Sequence, residues 1–441
     1  MPHRKLGILL AVVFTLGVAG VAQVAGASSA AQPPVIADAQ LRALSSTFGG
    51  ATVLPTTRTV PHWHGATLDP HNGVTYGYNM VGADPNGCSG SACDVTVQAD
   101  IIPVVVNVGG LTFDGNDVVA ATLASPQFAT NDYGSTPAAT APGSFPNTPA
   151  LIRGPGGVLS QGDAGNALQL QDATMRAQFN MVGNSTYHLR LQPNVLPSVT
   201  INVPGNQGTL LQSGRGVVFA DVNIQWWATR IMNLQTGADP THLPIILTKD
   251  VLLHIGPNPL NCCVIGFHGA GPVPSHTSNG PMNGNGRQPV QTWAWATYLS
   301  PGIYARPNGG TYWALQDIHP LSHEIAEWAD DPFINNFVEP WLTPTAPQYG
   351  CTGILETGDP VVAIGFAQGT NTYNQGPNPN GTQSADGFWH PEDEVFLPWF
   401  MRTAPNTVSE PTQTPSTNIG RYTLMGDLNP FAGFRQPATG C

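Results

Sequence analysis

The sequence predicts an α+β protein with long loops, a β-rich N-terminal region being followed by a region of mixed strands and helices. Three observations predict it. Gly and Pro are abundant, 50 and 42 of 441 residues, a level that favours loops and extended chain over long helices. Short β-branched runs bounded by Asn, Asp and Gly recur along the chain. One segment, Asp317 to Asp330, carries strong helix signals, with Pro320 suited to the first turn and Pro332 just past the end.

Residues 1–27 read as a secretory signal peptide. A basic MPHRK start leads into an apolar run from Leu6 to Gly26, and Ala25-Gly26-Ala27 is a small-x-small cleavage pattern. The expected protein is therefore secreted, with no stable membrane insertion once the leader is removed. The six cysteines, Cys88, Cys93, Cys262, Cys263, Cys351 and Cys441, form an even set in an exported chain, which favours disulfides over thiolate metal sites. Cys88 and Cys93 enclose a turn-like SGSA and are expected to pair. Adjacent Cys262 and Cys263 are expected to bond elsewhere, with Cys351 and Cys441 as preferred partners.

Residues 28–125 form the β-rich region, with VTYGYNMVG and DVTVQADIIPVVVNVGGLTFDG as its clearest strands. Residues 126–160 are rich in Ser, Thr, Pro, Ala and Gly, the chemistry of a linker or long loop. The region 161–441 opens with a short helical pattern, LQLQDATMRAQF. Strand-like segments follow, including GVVFADVNI, LPIILT, DVLLHIG, CVIGFHGA and QTWAWATYL. After the helix at 317–330 the chain returns to loops, interrupted by PEDEVFLPWFMR as a possible second helix.

The formal charge is −12, and Lys249 is the only lysine outside the expected leader. Such a chain cannot neutralise a phosphate backbone, so nucleic acid is excluded as a partner. Glutamate is scarce and unevenly placed: the seven are Glu324, Glu327, Glu339, Glu356, Glu392, Glu394 and Glu410.

The first two fall in His323-Glu324-Ile325-Ala326-Glu327. On a helix, His323 and Glu327 project from one face one turn apart and can bind one metal ion, while Glu324 is rotated by about 100° and can act on a water there as general base. The same logic gives HExxH its meaning; here a carboxylate replaces the second His. With this composition, the pattern is expected by accident roughly 0.003 times in the chain. Glu327, Asp330 and Asp331 also crowd the C-terminal turn, where the helix dipole disfavours anions, and no Lys or Arg occurs between Arg306 and Arg402. A divalent cation would offset that charge. A third protein ligand is needed, and Leu355-Glu356-Thr357-Gly358-Asp359-Pro360 supplies Glu356 as the preferred one. Asp359, Asp331 and His319 stand as supporting residues or alternative ligands. His268 reads as a packed or supporting residue, and Glu392-Asp393-Glu394 as a solvated helix start or a Ca²⁺ site.

SHEIAEWADDP followed by LETGDP, and preceded by Cys263-Val264-Ile265-Gly266-Phe267-His268, resembles the zincin-like metallopeptidase group in its HExxE variant. It is similar to secreted bacterial proteins with S-H-E-x-A-E-W-x-x-D-P and E-x-G-D-P, and more loosely to plant Exordium or phosphate-induced proteins. The resemblance spans about Cys262 to Asp359. It implies a zincin-like mixed sheet packed on the active-site helix in region 161–441, with His323, Glu327 and Glu356 holding one Zn²⁺ or another divalent metal and Glu324 as catalytic base. The expected function is a secreted metal-dependent hydrolase, a peptidase acting on extracellular protein or peptide. The alternative is a non-catalytic secreted surface or binding protein with a structural metal.

Overall fold

The computed structural model describes residues 8–13, 22–23, 57–131, 168–179, 181, 186–235, 237–272, 289–304, 314–342, 351–361, 364–366, 368–373, 387–403 and 422–424. In chain order these hold β1 (Ile8–Val13), β2 (Ala22–Gln23), β3 (His62–Leu68), β4 (Thr75–Val81), β5 (Asp94–Val108), β6 (Leu111–Asp114) and α1 (Val119–Ala124). After a gap come α2 (Leu170–Gln178), β7 (His188–Val195), β8 (Val199–Asn202), β9 (Gly208–Gln212), β10 (Val218–Asn223) and α3 (Ile224–Leu234). Then follow β11 (Leu243–Lys249), β12 (Val251–His254), β13 (Cys262–Pro272), β14 (Val290–Tyr298), α4 (His319–Asp330), β15 (Phe337–Leu342), β16 (Cys351–Ile354) and α5 (Leu397–Phe400). The protein is α+β and strand-rich.

Twelve strands form one mixed sheet whose main path is β2-β9-β10-β12-β13-β14-β11-β5-β6. The long β5 links the two halves of the chain, pairing parallel with β7, β8 and β11. The expected β-rich stretch thus contributes β5 and β6 to the main sheet, and the β3–β4 hairpin stands apart from that sheet. Within the expected leader, β1 runs antiparallel to β13 and β2 to β9. The expected linker at 126–160 lies almost wholly outside the described residues. No helix among the described residues is long and apolar enough to cross a membrane.

The alternation in QTWAWATYL explains how α4 docks. Successive side chains of a strand point to opposite faces, so Trp293 and Trp295 go to one side of β14 and Ala294 and Ala296 to the other. The tryptophans pack with Trp227 and Ile231 of α3. The alanines leave space for Leu321, Ile325 and Trp328 of α4, and Trp328 Nε1 donates to Thr292 Oγ1 at 3.0 Å. Every residue of α4 is buried. The sheet therefore carries α3 on one face and the HExxE helix on the other.

Two elements depart from the sequence reading. Residues 224–234 form α3, started by the Asn223 side chain, which accepts from the backbone N–H groups of Gln225 and Trp226. PEDEVFLPWFMR forms only the single turn α5. Its earlier half is extended and held by neighbours: Asp393 N donates to Ile364 O, Val395 N to Thr357 O, and Glu394 O accepts from Leu424 N.

The cysteines require one correction. Cys88 and Cys93 are bonded as expected, but Cys262 and Cys263 are bonded to each other. A trans peptide in a strand would send adjacent side chains to opposite faces; here the peptide is cis. Cys351 is also in a disulfide, and Cys441 lies outside the described residues.

Asp250, in the turn between β11 and β12, has φ +54° and accepts from both the N–H and the hydroxyl of Ser300 at 2.7 Å. Burial pushes its carboxyl up to about 6. Because the folded value is raised, the favourable contribution of the proton is complete below pH 4 and lost as pH rises through 6. Asp250→Asn tolerates the same backbone, keeps the Ser300 N–H acceptor and removes the buried charge. It is expected to stabilise the protein by up to about 3 kcal/mol at pH 8 and by almost nothing at pH 4, as read from urea unfolding at the two pH values.

Candidate metal centre

Helix α4 delivers His323, Glu324 and Glu327, none more than 2% exposed. The other groups come from elsewhere in the chain: His268 from β13, Glu356 and Asp359 from the loop after β16, and Glu392 to Glu394 from the extended segment before α5. Glu356, Glu392, Asp393 and Glu394 are fully buried; the Asp359 side chain is 23% exposed. Among the described residues, no Lys or Arg pairs with Glu324, Glu327, Glu356, Asp359, Glu392 or Glu394.

Two glycines set how closely the backbone can approach. A Cβ on Gly266 would stand 2.5 Å from Glu324 Oε1, and one on Gly358 would overlap the His323 ring. The Gly in Cys-x-x-Gly-Phe-His and the Gly in Glu-x-Gly-Asp thus leave room for the Glu324 carboxylate and for the His323 ring. Gly358→Ala is expected to displace His323 and weaken divalent-metal affinity at least 10-fold, an effect of the size seen when ligand-orienting groups are lost. Isothermal titration with Zn²⁺ checks it, with Gly266→Ala as the companion that displaces Glu324 instead.

Each imidazole is anchored through one nitrogen. His323 Nδ1 lies 2.8 Å from Glu392 Oε2, and the same oxygen lies 3.0 Å from His319 Nε2. His323 Nε2 faces Glu327 Oε1 at 3.1 Å and Asp359 Oδ1 at 3.9 Å. His268 Nε2 donates to the backbone carbonyl of Asp331 at 3.3 Å. Its Nδ1 faces Glu324 Oε2 at 3.4 Å and Glu327 Oε2 at 3.5 Å. Despite these distances, His323 Nε2, His268 Nδ1, Glu327 Oε1 and both oxygens of Glu324 and Glu356 have no aligned hydrogen-bond partner. Close ligand atoms that do not bond one another are arranged as they would be around a cation.

The ligand atoms of His323, Glu327 and Asp359 all lie within 4.8 Å of one another, and so do those of His268, Glu327 and Glu356. In a tetrahedral site with bonds of about 2.0 Å the ligands stand about 3.3 Å apart, so either group closes on an ion with small side-chain shifts. Glu356, the preferred third ligand, therefore groups with His268. Asp359 takes the place beside His323. His319 stands behind Glu392, and the Asp331 carboxylate accepts from Asn335 N and Asn336 N in the turn that ends α4; neither belongs to a ligand group among the described residues.

The electrostatics agree with a cation. Burial and the charges of Glu327 and Asp359 push the Glu356 carboxyl well above the usual range. Asp359 and Glu394 are raised in the same way, by burial and by the charges of Glu327 and Glu392 respectively. Burial alone would deprotonate His323, but the carboxylates of Glu327 and Glu392 hold it well above its ordinary value. Burial likewise works against ionised Glu327, yet His323 beside it keeps its carboxyl well below the usual range. Burial raises Glu324 to about 7. So many buried acids must be met by protons or by a cation.

His268, read as a packed or supporting residue, and Glu392, read as part of a solvated helix start or a Ca²⁺ site, both lie buried in this cluster. The signal for His268 was the spacing from Gly266: two residues apart on a strand, both face α4. For Glu392 it was the lack of any Lys or Arg between 306 and 402 to match three consecutive acids. Among the tyrosines and histidines downstream of α4, Tyr373 is exposed, Tyr422 donates to Thr403 O, and His390 Nδ1 is 2.7 Å from Asp317. Near the β3–β4 hairpin, His62 Nδ1 meets the Val60 carbonyl and His71 pairs with Glu339. Comparison with known protein families, with characterised proteins and with solved structures finds no match to the chain. The functional reading rests on the side chains.

Proposed function

We propose that the protein is a secreted metal-dependent hydrolase of zincin-like type, acting on peptide bonds of extracellular protein. The observation that carries this reading is the convergence of His323 Nε2, Glu327 and Asp359 beside a buried carboxylate, Glu324, that belongs to neither ligand group. His with carboxylates suits Zn²⁺ or another divalent ion. When bound, such an ion supplies Lewis acidity toward water and a substrate carbonyl.

The protein's own groups supply the rest. Glu392 orients His323 and raises its basicity by accepting at Nδ1. The partly exposed Asp359 makes the His323 group the one open to solvent, as a catalytic site requires. Glu324, raised by burial toward neutrality, accepts a proton from the attacking water and returns it to the leaving amine.

The carboxylate-rich ligand set favours a second reading, because two carboxylates nearly neutralise a divalent ion and weaken its pull on water. In that reading the metal is structural and the protein binds without catalysis. The deciding assay incubates the metal-loaded full chain with casein and a mixed peptide library. Hydrolysis that a chelator stops and Zn²⁺ restores supports the enzyme; loaded protein that cleaves nothing overturns it in favour of the binding protein.

A further inference from the structure

We propose that the centre holds two divalent cations, with the Glu327 carboxylate as the bridge between them: one ion on His323, Glu327 and Asp359, the second on His268, Glu327 and Glu356. The inference rests on the reading above that the His323 group holds the first ion.

Glu327 divides its oxygens between two imidazoles. Oε1 faces His323 Nε2 at 3.1 Å and Oε2 faces His268 Nδ1 at 3.5 Å. The carboxylate is thus placed to reach an ion on either side. His268 is prepared in the same way as His323. Its Nε2 meets a carbonyl, which can only accept, so Nε2 is the donor there and Nδ1 is the nitrogen left facing the carboxylates, the one a metal would take. Nδ1 points at the carboxylates of Glu324 and Glu327 and aligns with neither. A cation beside Nδ1 and Glu327 Oε2 makes ligands of those two, with Glu324 left next to them as a neighbour.

Glu356 completes the group. It is 0% exposed, neither of its oxygens has a hydrogen-bond partner, and it lies within ligand range of His268 and Glu327. A buried carboxylate left without donors is costly, and the ion on the His323 side does not include it. Charge points the same way. Glu324, Glu327, Glu356, Asp359, Glu392 and Glu394 converge with three imidazoles, more acids than one ion can take as ligands. The two positions also differ in access: the His323 group reaches solvent through Asp359, whereas the His268 group is closed on all three ligands. The open position suits substrate, and the closed one suits an ion that fixes Glu327 and screens Glu324.

The test counts ions. The full chain is stripped, reloaded with Zn²⁺, desalted and measured by plasma mass spectrometry, with near-ultraviolet circular dichroism as the check on folding. Wild type is expected to retain two equivalents, and Glu356→Gln and Asp359→Asn one each. One equivalent in wild type, kept by Glu356→Gln and lost in Asp359→Asn, overturns the second site and leaves the first. No retained ion in wild type overturns both. Should Glu356→Gln fail to fold, Mn²⁺-loaded wild type decides by electron paramagnetic resonance. A spin-coupled pair is expected, and an isolated six-line spectrum contradicts the bridge.

Discussion

Glu324→Gln is expected to lower kcat/KM for peptide hydrolysis by about 10²- to 10⁴-fold, the usual worth of a positioned general base, with metal content and melting temperature almost unchanged. The separation follows from geometry. Glu324 belongs to neither group of mutually close ligand atoms, so the amide does not remove a ligand. Glutamine has the same shape and fits the space that Gly266 leaves. What it lacks is the ability to take a proton. Steady-state kinetics on a fluorogenic peptide identified in the library screen, with metal analysis of the same samples, reads both halves. Equal activity of mutant and wild type excludes Glu324 as the base; a parallel loss of metal would instead make it a ligand.

Removing the metal is expected to destabilise the protein, and by more at higher pH. An ion present at 1,000 times its dissociation constant stabilises the folded state by about 4 kcal/mol, all of which a chelator takes away. The pH dependence then depends on what the metal-free cluster does. Burial, with the neighbouring charges, raises Glu356, Asp359 and Glu394 well above the ordinary carboxylate range. For carboxyls raised in the folded state, the stabilising contribution is fully present below the unfolded value near 4 and is lost as pH rises toward the folded one. Metal-free protein should therefore melt at steadily lower temperature from pH 5 to pH 8. Loaded protein should not, because the ion takes the place of the protons and binds more tightly as its ligands ionise. Melting curves with and without chelator at both pH values check the widening gap. Identical curves at pH 8 would mean that the buried acids need no cation.

What the sequence made legible is what one helix or one short loop determines. His323, Glu324 and Glu327 lie within a single turn and a half, so helical geometry alone places them together, and the Glu-x-Gly-Asp loop is short enough for its acids to be considered with them. Which of Glu356 and Asp359 stands beside His323 depended on how that loop lies against α4, which no local pattern encodes. His268 and Glu392 depended on more distant relations. His268 faces α4 only because β13 lies between β12 and β14 in a particular register, and Glu392 approaches only because its segment is held by Thr357, Ile364 and Leu424. An acid triplet after a proline reads locally as a solvated helix start. Its burial is a tertiary fact.

The strands were legible for a similar reason. Alternation in QTWAWATYL needs no partner to be read, and it also indicates which face admits a close-packed helix. The helix at 224–234 was hidden by its aromatic and β-branched content, which favours strand, and the Asn223 cap that starts it was the overlooked sign. The Cys262–Cys263 bond ran against the expectation for adjacent residues on a pleated strand.

Whether the cluster around α4 holds a metal is decided by an anomalous difference map from crystals of Zn²⁺-loaded protein, recorded on both sides of the zinc absorption edge. An edge-dependent peak is expected about 2.0–2.1 Å from His323 Nε2, with oxygens of Glu327 and Asp359 around it. A map with no peak there, and His323 Nε2 donating directly to Glu327, would contradict the metal centre.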